Sequence, residues 1–424
     1  MREVAGVVVF VATLAAVVAR PRGISEAWPA VLGGLAMVAL GLVPPAGALE
    51  RLLANGPLFG FFLGLMVIAA VADEAGFFAH VARLAVERAG GSPRRLLLNV
   101  FVVGAVVTAF LTNDATALVL TPVVHIIVTR LRLPPAPFVF ACTFVADAAS
   151  FLLPVSNPVN LILLGGAGTA LGPFLRFLLL PSLVVLAWNA ALFLFLFRRS
   201  LRGTLEESRL PREEVEGGYL RSVSAALGLV AVGYVAATTF GFPVAVVALA
   251  GGAGLVALAA LHGRLDAAQL ARAISWPLFP FVGGMVLVVA GVERIGLTPA
   301  AARLAAGLAA GSPLAGVLAV TFGVAAGANL VNNVPIALIA ASALAALPPE
   351  AAQGHALHYA AVLGADLGPN VSVVGSLATM LWLLMLRRRG MAISSLDYLK
   401  LGLVVTPPAL LLGALTLWLC GGML

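Results

Sequence analysis

Four clusters of polar residues interrupt the apolar stretches of this chain, and their side chains are of the kinds that hold small solutes and protons. Amides and hydroxyls donate and accept hydrogen bonds, and a carboxyl in apolar surroundings can carry a proton. The clusters are Thr112-Asn113-Asp114-Ala115-Thr116, Asp147 with Ser156-Asn157-Pro158-Val159-Asn160, Asn329 with Asn332-Asn333, and Asp366 with Pro369-Asn370 and Ser376-Leu377-Ala378-Thr379.

These clusters belong to an internal repeat with a shift of about 220 residues. Gly91-Ser92-Pro93 recurs as Gly311-Ser312-Pro313, and Ala146-Asp147 recurs as Ala365-Asp366. A duplicated, very apolar chain with matched polar interruptions is typical of secondary transporters, whose substrate sites lie near the bilayer midplane. The repeat therefore predicts one shared site between two halves.

The neighbours of the polar residues favour unwound backbone. Proline and glycine beside asparagine and serine interrupt a helix, and the freed amides and carbonyls are tolerated only in a cavity lined by protein or water. Half-helix N-termini then offer donors and partial positive charge to an oxygen-bearing ligand. Freed carbonyls and carboxylates can instead hold a cation.

Two sets of functional residues are predicted in the clusters. The coupling set contains Asp114, Asp147 and Asp366, and Asp114 is favoured because Asn333 stands at its repeat position. Asp147 and Asp366 match each other in the repeat, so they could equally be symmetric structural caps. Asn, Ser and Thr commonly hydrogen-bond between membrane helices, so a structural role is the alternative for any one of them. The residues predicted to contact substrate are Thr112, Asn113, Thr116, Ser156, Asn157, Asn160, Asn332, Asn333, Ser376 and Thr379.

Composition indicates a membrane protein. Hydrophobic residues make up 62% and charged residues 10% of the chain, whereas soluble domains average about 25% charged residues. The two cysteines, Cys142 and Cys420, suggest neither disulfides nor a metal cluster. Because the sequence has no phosphate loop, nucleophile elbow or zinc motif, we predict no enzyme activity, cofactor or bound metal. The net charge of +7 is ascribed to cytoplasmic arginines rather than to nucleic-acid binding.

Apolar segments approach the ~20 residues that span a bilayer in both halves. In the first half they cover roughly 4–19, 27–43, 57–73, 96–112, 115–129, 136–170 and 173–197. In the second half they cover roughly 223–240, 242–261, 277–292, 313–331, 334–347, 355–386 and 400–420. The less apolar segments 76–92 and 296–310 fit helices lying at the membrane interface.

Charge decides how the segments 96–129 and 313–347 are interpreted. Read as re-entrant hairpins, they leave each half about five spans, and an odd number inverts the second half. With the linker 198–222 in the cytoplasm, 20 of the 25 basic residues then lie inside and both termini lie outside. The basic residues left outside are Arg2, Arg51, Arg176, Arg294 and Arg303.

The predicted fold is therefore an all-α polytopic membrane protein built as an inverted repeat. Its first transmembrane repeat covers 1–197 and its second, inverted repeat covers 223–424. The segment 198–222 is predicted to be a solvated cytoplasmic linker, with a regulatory or partner-binding role as the alternative.

The polar stretches resemble those of arsenite efflux permeases of the ArsB type, within the larger ion-transporter superfamily. The resemblance covers essentially the whole chain, and its most specific part is the last of the matching stretches. These are Asn113-Asp114 with Leu118-Val119-Leu120-Thr121-Pro122, Ala146-Asp147-Ala148-Ala149-Ser150, Val155-Ser156-Asn157-Pro158-Val159-Asn160, Asn332-Asn333-Val334-Pro335, and Asp366-Leu367-Gly368-Pro369-Asn370 running to Ser376-Leu377-Ala378-Thr379-Met380-Leu381-Trp382.

This resemblance implies two hairpins and two broken helices around one midplane site in the cytoplasmic (inner) membrane. It also implies export of arsenite and antimonite, driven by proton entry or by a soluble ATPase subunit. Two residues depart from the family pattern: Pro158 stands where leucine is expected, and Asn370 where lysine is frequent. A sodium/proton antiporter of the NhaD kind or an organic-anion carrier on the same fold remains the alternative.

Overall fold

All regular secondary structure that the structure describes is helical. The computed structural model of the chain describes residues 1–19, 25–168, 170–204, 217–347, 356–391 and 393–422. No strand occurs within these ranges, and the all-α class predicted from the sequence is confirmed. Part of the predicted linker, 205–216, lies outside the described residues.

The helices fall into two series with the same order. The first series is α1 (Arg2–Ala19), α2 (Ala27–Ala39), α3 (Pro45–Ala54), α4 (Gly56–Glu74), α5 (Phe77–Glu87), α6 (Pro93–Phe110), α7 (Thr121–Arg130), α8 (Ala136–Ala148), α9 (Pro158–Gly168) and α10 (Leu171–Leu196). The second series is α11 (Gly217–Phe240), α12 (Val244–Leu261), α13 (Ala267–Ala273), α14 (Leu278–Ile295), α15 (Leu297–Gly311), α16 (Pro313–Val331), α17 (Asn333–Ala345), α18 (Ala356–Leu367), α19 (Leu377–Arg388) and α20 (Ser395–Gly422).

Long apolar helices alternate with short ones along the chain. Nine helical segments in the described ranges are long and apolar enough to cross a membrane, and they include α6 and α16, the first arms of the predicted hairpins. In contrast, α8 has 13 residues and α9 has 11. At 1.5 Å per residue, each is well short of the ~30 Å hydrocarbon core, so the two together form one broken span. The pair α18 and α19, with 12 residues each, repeats this arrangement.

Two helix crossings, one from each half on the other, form a scaffold. Helix α2 packs on α14, and α4 packs on α12. A Cβ atom at Gly64 would lie 2.4 Å from the Ala248 carbonyl carbon, and one at Gly284 would lie 2.4 Å from that of Ala30. The same close approach therefore occurs twice with the halves exchanged. Small residues permit such backbone contact between membrane helices.

The ends of the helices mark two opposite faces of the molecule. At one face, which we call the linker face, the Tyr219 hydroxyl donates to Glu74 Oε2 at 2.6 Å, and the Tyr219 ring lies 5.1 Å from that of His262. The start of α11 thus meets the ends of α4 and α12. At the other face, Arg51 forms an ion pair of 2.8 Å with Glu293 at the end of α14.

Two short helices were not predicted from the sequence. The apolar segment 27–43 ends as a helix at Ala39, and α3 follows from Pro45 to Ala54. Its repeat mate α13 begins after Asp266, whose Oδ1 accepts from the backbone N–H groups of Ala268 and Gln269 at 2.9 Å each. Seven to ten residues give too few turns for a clear periodic pattern.

Candidate functional site

The predicted polar clusters come together where half-helices meet. The hairpin arms α6 and α16 and the helices α8 and α18 end there. The helices α9, α17 and α19 begin there, as does a π-helical segment, Ala115–Leu120, that leads into α7. Helix N-termini carry partial positive charge and C-termini partial negative charge. The centre therefore offers both backbone donors and backbone acceptors.

In the first half, the hairpin tip is tied to the break between α8 and α9. The backbone N–H of Asn113 donates to the carbonyl oxygen of Ser156 at 3.2 Å. The Ser156 hydroxyl in turn donates to the carbonyl oxygen of Ala109 at 3.2 Å. Both residues are buried. Two hydrogen bonds therefore connect the tip to the break.

In the second half, asparagines of the hairpin make the corresponding connection. Asn329 Nδ2 donates to the carbonyl oxygen of Gly368 at 2.8 Å, and its Oδ1 accepts from the Ser372 hydroxyl at 2.7 Å. Asn332 has a φ of +79° and a ψ of 158°, a backbone conformation that residues other than glycine rarely adopt. Its Nδ2 donates to the carbonyl oxygen of Val374 at 3.4 Å.

Two carboxyls occupy the centre, and each receives an amide. Asn157 Nδ2 donates to Asp366 Oδ1 at 2.8 Å, which joins the two halves across 209 residues of sequence. Asn113 Nδ2 lies 3.5 Å from Asp147 Oδ1, a long contact. The exposed fractions of Asp147 and Asp366 are 3% and 1%, and the Oδ2 atom of each is buried without a hydrogen-bond partner in the described part of the chain.

These unpaired oxygens define the chemistry of the centre. A buried carboxylate oxygen that lacks a partner is costly. Protonation would neutralise the carboxylate, and a ligand hydroxyl would donate a hydrogen bond to the free oxygen. Asp147 and Asp366 are close enough for their charges to repel each other. No lysine or arginine is found among the buried side chains of the described ranges. The centre is therefore suited to a neutral solute, a proton or a cation.

Asp114 is placed differently from the central pair. It is partly buried, and its backbone N–H donates to Asn113 Oδ1 at 3.0 Å. Its carboxyl has no hydrogen bond within the described residues. Its charge still acts on Asp147. Asp114 thus lies at the hairpin tip, beside the pair rather than in it.

Several predicted substrate residues are engaged in local structure. The Thr116 hydroxyl is 2.8 Å from that of Thr108, inside the first hairpin. Thr112 Oγ1 accepts from the backbone N–H of Ala115 at 3.3 Å. Asn160 Nδ2 donates to the carbonyl oxygen of Ser150 at 2.8 Å and closes the break before α9. In this structure these side chains stabilise the hairpin and the break, and their hydrogen bonds are made within the protein.

Other predicted substrate residues keep polar groups available. Asn333 and Ser376 are buried, yet neither side chain has a hydrogen bond in the part of the chain that the structure describes. They stand at or just before the starts of α17 and α19. Thr379 lies one turn further along α19, beside the Tyr398 hydroxyl. These three are the residues best placed to meet a ligand from the second half.

Tyr398 is a residue of the site that the sequence did not predict. Its hydroxyl donates to Asn370 Oδ1 at 3.3 Å, and Asn370 Nδ2 donates to the carbonyl oxygen of Phe144 at 3.2 Å. This chain of bonds joins α20, the second break and α8. Aromatic rings surround Tyr398, with centroids 5.5 Å away at Phe144 and 5.7 Å away at Trp382. No local pattern marks this tyrosine, because it lies 28 residues from Asn370.

Comparison with known proteins identifies the family. The family model described as "Arsenical pump membrane protein", ArsB, matches residues 5–420. The arsenical pump membrane protein of Escherichia coli is 31% identical over 411 residues, with 95% of each chain covered. That of Yersinia enterocolitica is 31% identical over 414 residues, again with 95% of each chain covered.

A solved structure shares the fold. The YdaH transporter of Alcanivorax borkumensis matches with a TM-score of 0.65 at 16% sequence identity, covering 90% of each chain. At this identity the likeness concerns the fold alone. The family match, the curated relatives and the polytopic helical architecture agree: the chain belongs to the ArsB family of arsenical pump membrane proteins and is a membrane transporter of that type.

Proposed function

We propose that the protein exports arsenite and antimonite from the cytoplasm in exchange for protons, by alternating access to the central site. The observation that carries the proposal is a buried centre with unpaired carboxyl oxygens on Asp147 and Asp366 and no buried basic residue in the described ranges. The relatives named as arsenical pumps support the substrate class.

The substrate chemistry fits such a centre. Arsenite at neutral pH is an uncharged trihydroxide, so its binding requires no arginine. Its hydroxyls can both donate and accept hydrogen bonds, as asparagine and serine side chains do. We propose that these hydroxyls are met directly by Asn113, Asn157, Asn333, Ser376 and Thr379. The proposed site is completed by Thr112, Thr116, Ser156, Asn160 and Asn332.

The central carboxyls supply a means of coupling. A deprotonated Asp147 or Asp366 accepts hydrogen bonds from substrate hydroxyls. A proton arriving from outside binds the same carboxylate oxygen, which then no longer accepts a hydrogen bond from the substrate. Competition between proton and substrate at one place then gives exchange without a second pathway. Asp114 at the hairpin tip is the third proposed member of this coupling group.

Orientation and energy source complete the proposal. We propose an inner-membrane protein whose two repeats, 1–197 and 223–424, are inverted, with the linker 198–222 in the cytoplasm. Proton exchange is preferred to a soluble ATPase subunit as the energy source, because the carboxyls provide coupling within the membrane. The competing function is sodium/proton antiport, since two buried carboxyls can also hold a cation.

Everted membrane vesicles test the substrate and the coupling together. Vesicles with an imposed proton gradient should accumulate arsenite and antimonite, and collapse of the gradient should stop accumulation. Sodium and succinate should not be accumulated by the same vesicles. Proton-driven sodium uptake without arsenite uptake would replace the proposal by the antiporter. Accumulation that persists without a gradient but needs ATP would indicate an ATPase.

A further inference from the structure

A cavity of about 520 Å³ lies between the scaffold helices and the half-helices of the central site. One wall is formed by the junction of α3 with α4 and by the turn from α11 to α12, including Asn55 and Phe242. The other wall is formed by α9, through Leu161 and Ile162, and by α17, through Leu338 and Ala341. The cavity therefore lies between the scaffold helices on one side and α9 and α17 on the other.

The inner wall of this cavity begins close to the central site. Helix α9 starts after Asn157, and Ile162 follows five residues later, about 8 Å along a helix. Helix α17 starts at Asn333, and Leu338 is also five residues, about 8 Å, further on. The two helices pack against each other. The same pair of helices thus runs from the site to the cavity.

The cavity lies at the face opposite the linker. Its scaffold wall uses the start of α4, the end of α11 and the start of α12. The other ends of these helices meet at the linker face, where Tyr219 bonds to Glu74. With the arginine-rich linker in the cytoplasm, the cavity faces outside.

The backbone of α9 is interrupted within the cavity wall. Gly165 has a φ of +59°, and the helix kinks there. A Cβ at this position would meet no atom within 4 Å, so the glycine is required by its conformation and not by crowding. The kink directs the last part of α9 away from the line of its first turns.

From these observations we infer that the cavity is the outer part of the substrate path, through which a small uncharged trihydroxide leaves after release from the central site. The inference rests on the proposed function for the identity of the solute. Its walls combine apolar side chains with few polar groups, which a neutral solute passes without the desolvation cost of an ion. Leu161, Ile162 and Leu338 then form the layer that separates site from exit.

Cysteine modification tests the path, because the labelling itself can be measured without a transport assay. Ile162→Cys and Ala341→Cys place thiols on the two helices of the inner wall, α9 and α17, and Leu164→Cys places one on α9 outside the cavity lining. The native Cys142 and Cys420 are buried. Added from outside to intact cells, a membrane-impermeant thiosulfonate should modify positions 162 and 341, spare position 164, and stop export by the modified proteins.

The results test the inferred path and the proposed substrate independently. Glu50→Cys, exposed at the same face, reports that protein is present and that the reagent works. Modification of Glu50→Cys without modification at 162 and 341, or modification of these two only in everted vesicles, would overturn the inferred path. Arsenite should slow modification at 162 and 341 relative to Glu50→Cys, a ratio that cancels any direct reaction of arsenite with thiols. Modification that arsenite does not slow would leave the path intact and count against the proposed substrate.

Discussion

At the scale of single residues, the central question is which carboxyl carries the proton. The sequence predicted the three candidates from residue type and repeat position, and favoured Asp114. The structure gives Asp147 and Asp366 buried, unpaired oxygens and places the partly buried Asp114 beside them at the hairpin tip. The sequence could rank them only by repeat position, because the contact between Asn157 and Asp366 joins residues 209 positions apart.

The geometry therefore favours the pair over Asp114 for coupling. We expect Asp147→Asn and Asp366→Asn to lose proton-driven accumulation while retaining downhill exchange of substrate, since the amide keeps hydrogen bonds but cannot titrate. Asp114→Asn should retain more accumulation than either. Vesicle uptake with and without a proton gradient measures both quantities. If only Asp114→Asn loses accumulation, the carrier is Asp114.

The hairpin asparagines should matter for substrate affinity. Asn113→Ala and Asn332→Ala each remove a buried hydrogen-bonding group, which costs about 1–3 kcal/mol and corresponds to a roughly 5- to 150-fold weaker affinity. Asn99→Ala is the matched control, because Asn99 lies in α6 and, among the described residues, its side chain bonds only to the carbonyl oxygen of Ala85. Concentration dependence of arsenite uptake gives the affinities. Near-normal affinity in both tip variants would reduce these asparagines to structural contacts.

Tyr398 should act by holding Asn370 in place. Tyr398→Phe keeps the ring packing but leaves Asn370 Oδ1 without its donor, at a cost of about 1–3 kcal/mol. We expect weaker substrate affinity and an altered pH profile of uptake, with little change in protein level. Tyr359→Phe is the control, because its ring stacks on Phe177 at 4.8 Å away from the carboxyls. Equal effects of the two substitutions would assign Tyr398 to packing alone.

At the scale of elements, the sequence predicted long features better than short ones. The hairpin arms and both broken helices agree with the predicted segments to within a few residues. The short helices α3 and α13 were missed, because one or two turns produce little periodicity. The π-helical turn after Asp114 was also missed. Such a segment depends on packing against α8 and α19 rather than on local residue preferences.

The glycines of the scaffold crossings should be sensitive to size. Gly64→Leu and Gly284→Leu place a side chain where a Cβ alone would overlap the backbone of Ala248 or Ala30. We expect each substitution to lower the free energy of unfolding by about 1–3 kcal/mol or more, because 1–3 kcal/mol is the usual cost of overpacking. Gly254→Leu in α12 is the control, since its Cβ would meet no atom within 4 Å. Thermal unfolding in detergent should separate the three variants, and equal midpoints would show that the crossings can open without cost.

At the scale of the whole molecule, the exchange of partners between halves links fold to function. Helix α2 packs on α14 as α12 packs on α4, and Asn157 of one half bonds to Asp366 of the other. One scaffold and one site are thus each assembled from both repeats. The proposed alternating access uses inverted repeats, which present opposite ends of related helices to the two faces. The orientation of these faces in the membrane is therefore part of the proposal.

The orientation of the molecule rests on the arginine distribution and can be measured directly. Arg202→Cys lies exposed at the start of the linker, and Glu50→Cys lies exposed on α3 at the opposite face. With Cys142 and Cys420 buried, an impermeant thiol reagent applied to intact cells should modify position 50 and spare position 202. Everted vesicles should reverse this result. Modification of position 202 from outside would show that the protein has the opposite orientation in the membrane. The 520 Å³ cavity would then face the cytoplasm as an entry for substrate.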